Sequence, residues 1–215
     1  MNYFNLHTHQ RTGAPSIVEL VNQYPDAFEP DTPFFSIGIH PWRIQPEKTE
    51  SWLDFIASKL ESPNCGAIGE CGLDKRIDFP LKLQQEIFEK QLLLAERYRK
   101  PVVLHCVAAF QEIIETKKRL NISVPLIIHG FSKSVQLAQS LIDNGFYLSF
   151  GKYLLRNPEL REVFLSVPND RFFLETDTIE EGIAAVYQRA ADYKNISLEA
   201  LQKNVAANFQ AVFKE

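Results

Sequence analysis

The sequence predicts an α/β fold, a (β/α)8 TIM barrel abbreviated in its first βα units. Three observations lead there. Short apolar runs, opened by Pro or Gly and closed by a polar residue, recur along the 215 residues. Runs of this kind, rich in Val, Ile and Phe, suit strands covered on both faces, as in a parallel sheet. Amphipathic stretches stand between them, and alternation of strand with helix builds βαβ units. The count reaches about eight strands, which fits a barrel of this general size.

The strand candidates follow in order. "YFNLHTH" (3–9) comes first, and a less regular "SIVELVNQ" (16–23) second. "FFSIGIH" (34–40), "GAIGECG" (66–72), "PVVLHC" (101–106), "PLIIHGF" (125–131), "FYLSFG" (146–151) and "RFFLETD" (171–177) complete the set. The region 10–33 is short and rich in Pro and Asp, with no room for two full helices. Among the helices, "ESWLDFIASKL" (50–60) places Trp52, Phe55, Ile56 and Leu60 on one face. "LQQEIFEKQLLLAERYRK" (83–100) stripes Phe88, Leu92 and Ala95. "VQLAQSLIDNG" (135–145) stops at Gly145, a natural residue just past a helix end. "SLEALQKNVAANFQAVF" (197–213) starts at Ser197 as N-cap and buries Leu201, Val205, Phe209 and Val212. A doubly wound open sheet is the alternative, but no glycine-rich phosphate fingerprint follows the first strand.

Composition bounds the function. The chain is 45% hydrophobic and 23% charged, enough for one well-buried core and one domain over residues 1–215. Net charge is −4 and the pI near 5.8, so no basic face implies non-specific nucleic-acid binding. A nuclease can still be acidic where metals bring the positive charge to the phosphate. Cys65, Cys71 and Cys106 are an odd number without CxxC spacing, which reads as reduced thiols in a cytoplasmic protein. The N-terminal run lacks a signal-peptide pattern. No apolar stretch reaches the roughly 20 residues of a membrane helix, so no membrane partner is expected.

The polar residues that close the runs carry the chemistry. They are His7 and His9, then His40, Glu70, His105, His129 and Asp177, and they include all five histidines. In a parallel barrel every strand ends on the same face, where the loops build the active site. His105 and His129 are one βα unit apart, and His129 and Asp177 two, with "FYLSFG" the intervening strand. Alternation along a strand puts His7 and His9 on one side and Thr8 on the other. Imidazoles and carboxylates together suit divalent transition metals, and six of them exceed one tetrahedral site, so two ions are expected. Singly, each has an ordinary structural role. His105 or His129 fits a hydrogen-bonded core histidine, Glu70 fits a lysine partner, and Asp177 fits a cap, since "DTIEEG" reads as a helix start. Their joint placement at strand ends is what points to one site.

With those residues in view, the chain resembles the TatD-type metal-dependent deoxyribonucleases, a branch of the amidohydrolase-like barrel hydrolases. The matching pieces are "NLHTH", "SIGIHPW", "AIGECGLD", "QQEIFEKQLLLAERYRKPVVLHC", "IIHGFSKS", "FFLETD" and "NVAANF". They run in the family's order and cover nearly the whole chain. The resemblance implies two divalent ions, drawn from Zn, Mn, Mg, Co or Ni. His7, His9, Glu70 and Asp177 would hold one, Glu70, His105 and His129 the other, with Glu70 bridging. His40 and Asp74 would lie by the substrate. A water made acidic by the metals would attack phosphorus, with Asp177 accepting its proton. Cys106 would point away from the ligands, and there is no GxSxG nucleophile. The implied substrate is DNA, single-stranded or at frayed ends, possible 3'-5' exonuclease action included, with no obligate protein partner.

The chain departs from that pattern in four places. The segment from His9 to His40 is short, Val107 stands where many relatives carry an arginine, Thr178 leads into an acidic "IEEG", and "GLD" continues as "KRID". Lys75, Arg76 and Lys133 are candidate phosphate contacts, and equally surface charges. The alternative reading keeps the metals and takes a small ester, amide or phosphoester as substrate, since fold does not fix substrate. A binding protein without activity is the third, opposed by the complete ligand set. Ligands must be deprotonated to bind, so metal affinity should fall below roughly pH 6.5.

Overall fold

The computed structural model describes residues 3–213. Eight strands form one sheet whose hydrogen-bonded order is the order of the chain: β1 (Tyr3–Thr8), β2 (Ile17–Gln23), β3 (Phe35–Ile37), β4 (Cys65–Asp74), β5 (Val102–Val107), β6 (Leu126–Ile128), β7 (Phe146–Phe150) and β8 (Phe172–Leu174). Just past β8, Asp177 bridges to Thr8 of β1 in parallel. Among the described residues eight α-helices follow β3, single ones after β3 to β6 and pairs after β7 and β8: α1 (Thr49–Leu60), α2 (Leu81–Tyr98), α3 (Phe110–Arg119), α4 (Val135–Asp143), α5 (Lys152–Arg156), α6 (Leu160–Ser166), α7 (Ile183–Lys194) and α8 (Leu198–Phe213). This is the (β/α)8 class. No helix separates β1 from β2 or β2 from β3, so the barrel is abbreviated where the short 10–33 segment predicts it.

The chain divides into two compact units. One comprises the residues up to Val21 with those from Ile127 onward, and the other is Asn22–Leu126.

In the first unit, β1 and β8 are covered by aromatic packing from α8. The Phe4 ring lies 4.6 Å from Phe209 and 5.7 Å from Phe173. Each such ring, removed from water, contributes roughly 1.5–3 kcal/mol. The Tyr187 hydroxyl of α7 accepts from the Phe4 amide at 3.0 Å and donates to the Phe4 carbonyl at 2.9 Å. Both helix-end expectations hold. Ser197 Oγ accepts from the Ala200 amide at 3.1 Å as N-cap of α8, and Gly145 adopts φ 76 just past α4. The apolar face of α8 buries Leu201, Val205, Phe209 and Val212 as its spacing predicts.

One expectation fails in this unit. "DTIEEG" does not start a helix, and α7 begins only at Ile183. Asp177 is held instead against β1, its amide donating to the His7 carbonyl at 2.9 Å and its carbonyl accepting from the His9 amide at 3.2 Å. Those bonds go with φ 55, a left-handed conformation that no helix N-terminus continues.

In the second unit, α1 and α2 pack on β4. The stripe Phe88, Leu92 and Ala95 is buried. The inward face of α1 differs by one residue, with Leu53 buried beside Trp52, Ile56 and Leu60. Phe55 is half-buried and packs edge-on to Phe28, ring centres 5.6 Å apart. The three thiols are free. Burial pushes Cys65 up to about 11, and Cys71 is raised further by its complete burial. Among the described residues no helix is long and apolar enough to cross a membrane.

Candidate functional site

Two donor sets, one in each unit, contain the predicted ligands. In the first, β1 supplies His7, fully buried, and His9 follows one residue past the strand. His129 follows β6 and Asp177 follows β8. The His7 ring lies 4.5 Å from that of His129 and 4.9 Å from that of His9. Asp177 Oδ1 is 3.5 Å from His9 Nε2 and 3.8 Å from His7 Nε2. One donor atom from each of His7, His129 and Asp177 falls within 4.8 Å of the others, a spacing one cation can span.

Two residues outside the predicted set hold this arrangement. Glu175, 1% exposed, accepts from the Gly130 amide at 2.8 Å through Oε1, which also lies 3.3 Å from His129 Nδ1. A proton on Nδ1 facing that carboxylate leaves Nε2 as the ligand atom, the usual arrangement around a metal-binding histidine. Asn5 of β1 accepts from the Thr176 amide at 3.0 Å and donates to the Thr176 hydroxyl at 2.8 Å. Both bonds fix the "ETD" segment against the first strand.

In the second unit, Glu70 sits inside β4 where its register against β5 is irregular, between Ile68 and Cys71. Such irregularities re-aim side chains. The glycines around Glu70 are required by crowding. A Cβ on Gly69 would lie 2.4 Å from the Val103 carbonyl oxygen, and one on Gly72 2.0 Å from that of His105. The Glu70 amide donates to Asn22 Oδ1 at 2.6 Å, a tie that nothing in the motif announces. Glu70 Oε1 then lies 2.9 Å from His105 Nδ1 and 3.2 Å from His40 Nε2.

The hydrogen bonds separate the roles of the two histidines. His40 Nδ1 accepts from the Trp42 amide at 3.1 Å, so its proton is on Nε2 and faces Glu70. A ring in that tautomer donates and does not ligate. His105 has carboxylates at both nitrogens, Glu70 at Nδ1 and, at 3.2 Å, Asp74 Oδ2 at Nε2. A neutral imidazole carries one N–H, so the second contact calls for a positive charge, either another proton or a bound cation. With Nε2–H turned to Asp74, Nδ1 and Glu70 form a donor pair for a metal ion.

Asp74 is itself tied down. Burial alone would raise its pKa, but bonds from Trp42 Nε1 at 2.7 Å, the Arg76 amide at 2.8 Å and His105 outweigh it and hold the carboxyl below its ordinary value. Two buried glutamines of α2 secure the backbone beneath. Gln84 Oε1 accepts from the Asp74 amide at 2.8 Å, and Gln91 Oε1 accepts from the Ile39 amide at 2.7 Å. Their seven-residue spacing on an apolar stripe is a readable signal, because a buried glutamine must find partners.

The donor chemistry fits divalent cations. Glu70, Asp74 and Glu175 are buried carboxylates, and buried charges need a partner ion or a metal. The remaining sequence candidates are less engaged. Lys133 is exposed in the loop before α4 and makes no ion pair with the described residues. The Lys75 ammonium is paired with Glu112. A cleft of about 570 Å³ is lined by Lys152, Arg156, Thr178, Ile179, Glu180 and Glu181.

The family model described as TatD related DNase matches residues 3–214. The chain belongs to that family. A metal-dependent hydrolase of Haemophilus influenzae is 29% identical over 83% of this chain and 81% of its own length. The 3'-5' ssDNA/RNA exonuclease TatD of Salmonella typhimurium is also 29% identical, over 80% of this chain and 64% of its own length. This TatD-family chain therefore spans less than two thirds of that relative. The solved structure of the TatD homologue YjjV from Escherichia coli superposes with a TM-score of 0.84 at 21% identity, covering 100% of this chain and 98% of the other. That likeness establishes the fold.

Proposed function

We propose that this TatD-family metal-dependent hydrolase cuts phosphodiester bonds in single-stranded DNA or RNA, removing nucleotides from the 3' end. The observation that carries the reading is the gathering of imidazoles and carboxylates at strand ends, in groups whose donor atoms one cation can span. The name of the Salmonella relative supports the substrate. The residues proposed as ligands are His7, His9, His129 and Asp177 in the first unit and Glu70 and His105 in the second. Bound divalent ions supply Lewis acidity, which lowers the pKa of water and offsets phosphate charge.

The chain's own residues do the rest. Asp177, a partly exposed carboxylate, accepts the proton from the attacking water. His40 donates its Nε2–H toward Glu70 and keeps that carboxylate oriented. Asp74 fixes the His105 ring. Lys152, in the wall of the cleft that begins at Thr178, offers a cation to a substrate phosphate. Lys133 stands in the same role as an exposed cation.

The test is a 5'-labelled oligonucleotide incubated with protein loaded in turn with Zn, Mn, Mg, Co or Ni. A ladder shortened from the 3' end is expected, removed by chelation and by H105A. Metal analysis should find two ions per chain. Intact oligonucleotide with all five metals would overturn the proposal.

A further inference from the structure

Among the described large hydrophobic side chains Trp42 is the most exposed, at 64%, against 51% for Leu93 and less for the others. Single exposed apolar residues are ordinary on a surface. This one is not loose. Its indole Nε1–H donates to Asp74 Oδ2 at 2.7 Å, and its backbone amide donates to His40 Nδ1 at 3.1 Å. Its ring stands nearly perpendicular to those of His40 and His105, at 5.2 and 5.7 Å between centres. Pro41 immediately before it restricts the backbone. An indole anchored through its N–H, on a backbone amide held by His40, yet open to solvent has given up rotamer freedom in advance, so a planar group stacking on it pays less ordering entropy.

We infer that Trp42 is a stacking platform for a nucleobase of a single-stranded substrate, placed beside the donor set of Glu70 and His105. The inference rests on the nuclease reading for its ligand class. Every base has a π-face, and in a single strand that face is available for an aromatic side chain. The tie to Asp74 sets the ring plane and, through Asp74, links the platform to His105.

Two measurements test it. In a W52F background Trp42 is the sole indole, since the chain has two tryptophans. Phosphorothioate hexathymidylate should quench its fluorescence saturably, and an abasic phosphorothioate of equal length should not. Equal responses to the two overturn the inference, and the same titration on the unmodified protein guards against misfolding of W52F. Second, the ratio of kcat/KM for hexathymidylate over its abasic analogue should fall roughly five- to 150-fold in W42L. W42F, which keeps a ring and loses the N–H, should retain most of that ratio. A W42L variant that loses activity on both substrates equally would make Trp42 a mere support of Asp74. Quenching without cleavage would spare the platform and remove the nuclease reading, whereas cleavage with an unchanged W42L ratio would do the reverse.

Discussion

His105 Nδ1 and Glu70 Oε1 face one another at 2.9 Å from adjacent strands, although 35 residues separate them in the chain. Parallel pairing of β4 with β5 sets the approach, with Gly72 opposite His105. The far side of the same ring rests on Asp74 at 3.2 Å. An imidazole between two carboxylates, with one of them buried beside a second histidine, is a receptor for positive charge.

On the proposed two-ion reading, H105A should therefore take the bound metal from two ions per chain to one and lower kcat by more than the about 10–100-fold typical of losing an outer partner. Metal analysis beside single-turnover kinetics checks both. Two ions still bound in H105A would remove His105 from the ligand set.

Glu175 acts through His129. E175A should weaken metal binding about 10–100-fold, read by competition with a chromophoric chelator. E175Q should recover much of it, because an amide oxygen still accepts from the Gly130 amide and from His129 Nδ1–H. Equal loss in both variants would mean that charge, rather than orientation, is what Glu175 supplies.

The Tyr187 hydroxyl satisfies both backbone groups of Phe4 inside the core. Y187F leaves them buried without that partner, at a cost of about 1–3 kcal/mol, read by urea unfolding. A midpoint unchanged from the parent protein would show that the backbone finds another partner.

Glu96 accepts from the Ser123 amide at 2.8 Å, from the Ser123 hydroxyl and from the Val124 amide at 3.2 Å. Burial acts to raise its pKa, but these bonds prevail and hold it below the ordinary glutamate value. A folded pKa lower than the unfolded one stabilises fully above the unfolded value and is lost as pH falls through the folded one. E96Q should therefore be less stable than the parent at neutral pH, by about 1 kcal/mol. The gap should close in acid below the glutamate range. A gap constant from pH 7 to pH 3 would show that the carboxylate charge is irrelevant.

Much of this architecture was legible in one dimension. Periodicity marks strands and helices because a side chain's face follows from its position, and the stripes Phe88–Leu92–Ala95 and Leu201–Val205–Phe209–Val212 are buried as read. The absence of room for helices in 10–33 was visible as length. What one-dimensional reading passed over is polar support: Asn5 on Thr176, Asn22 on Glu70, Glu175 on His129 and Trp42 on Asp74. Each joins residues 32 or more apart, so no local periodicity reports it. "DTIEEG" failed as a helix start for the same reason, since its Asp177 is claimed by the backbone of β1.

The amino-acid order alone determined the strand–helix alternation, the candidate donors and the family, because burial pattern and residue chemistry are carried by each position. Only the folded chain decided which donor meets which, that His40 accepts at Nδ1, and that one indole stands open beside them. Those outcomes depend on hydrogen bonds between neighbours that are adjacent in space and distant along the chain.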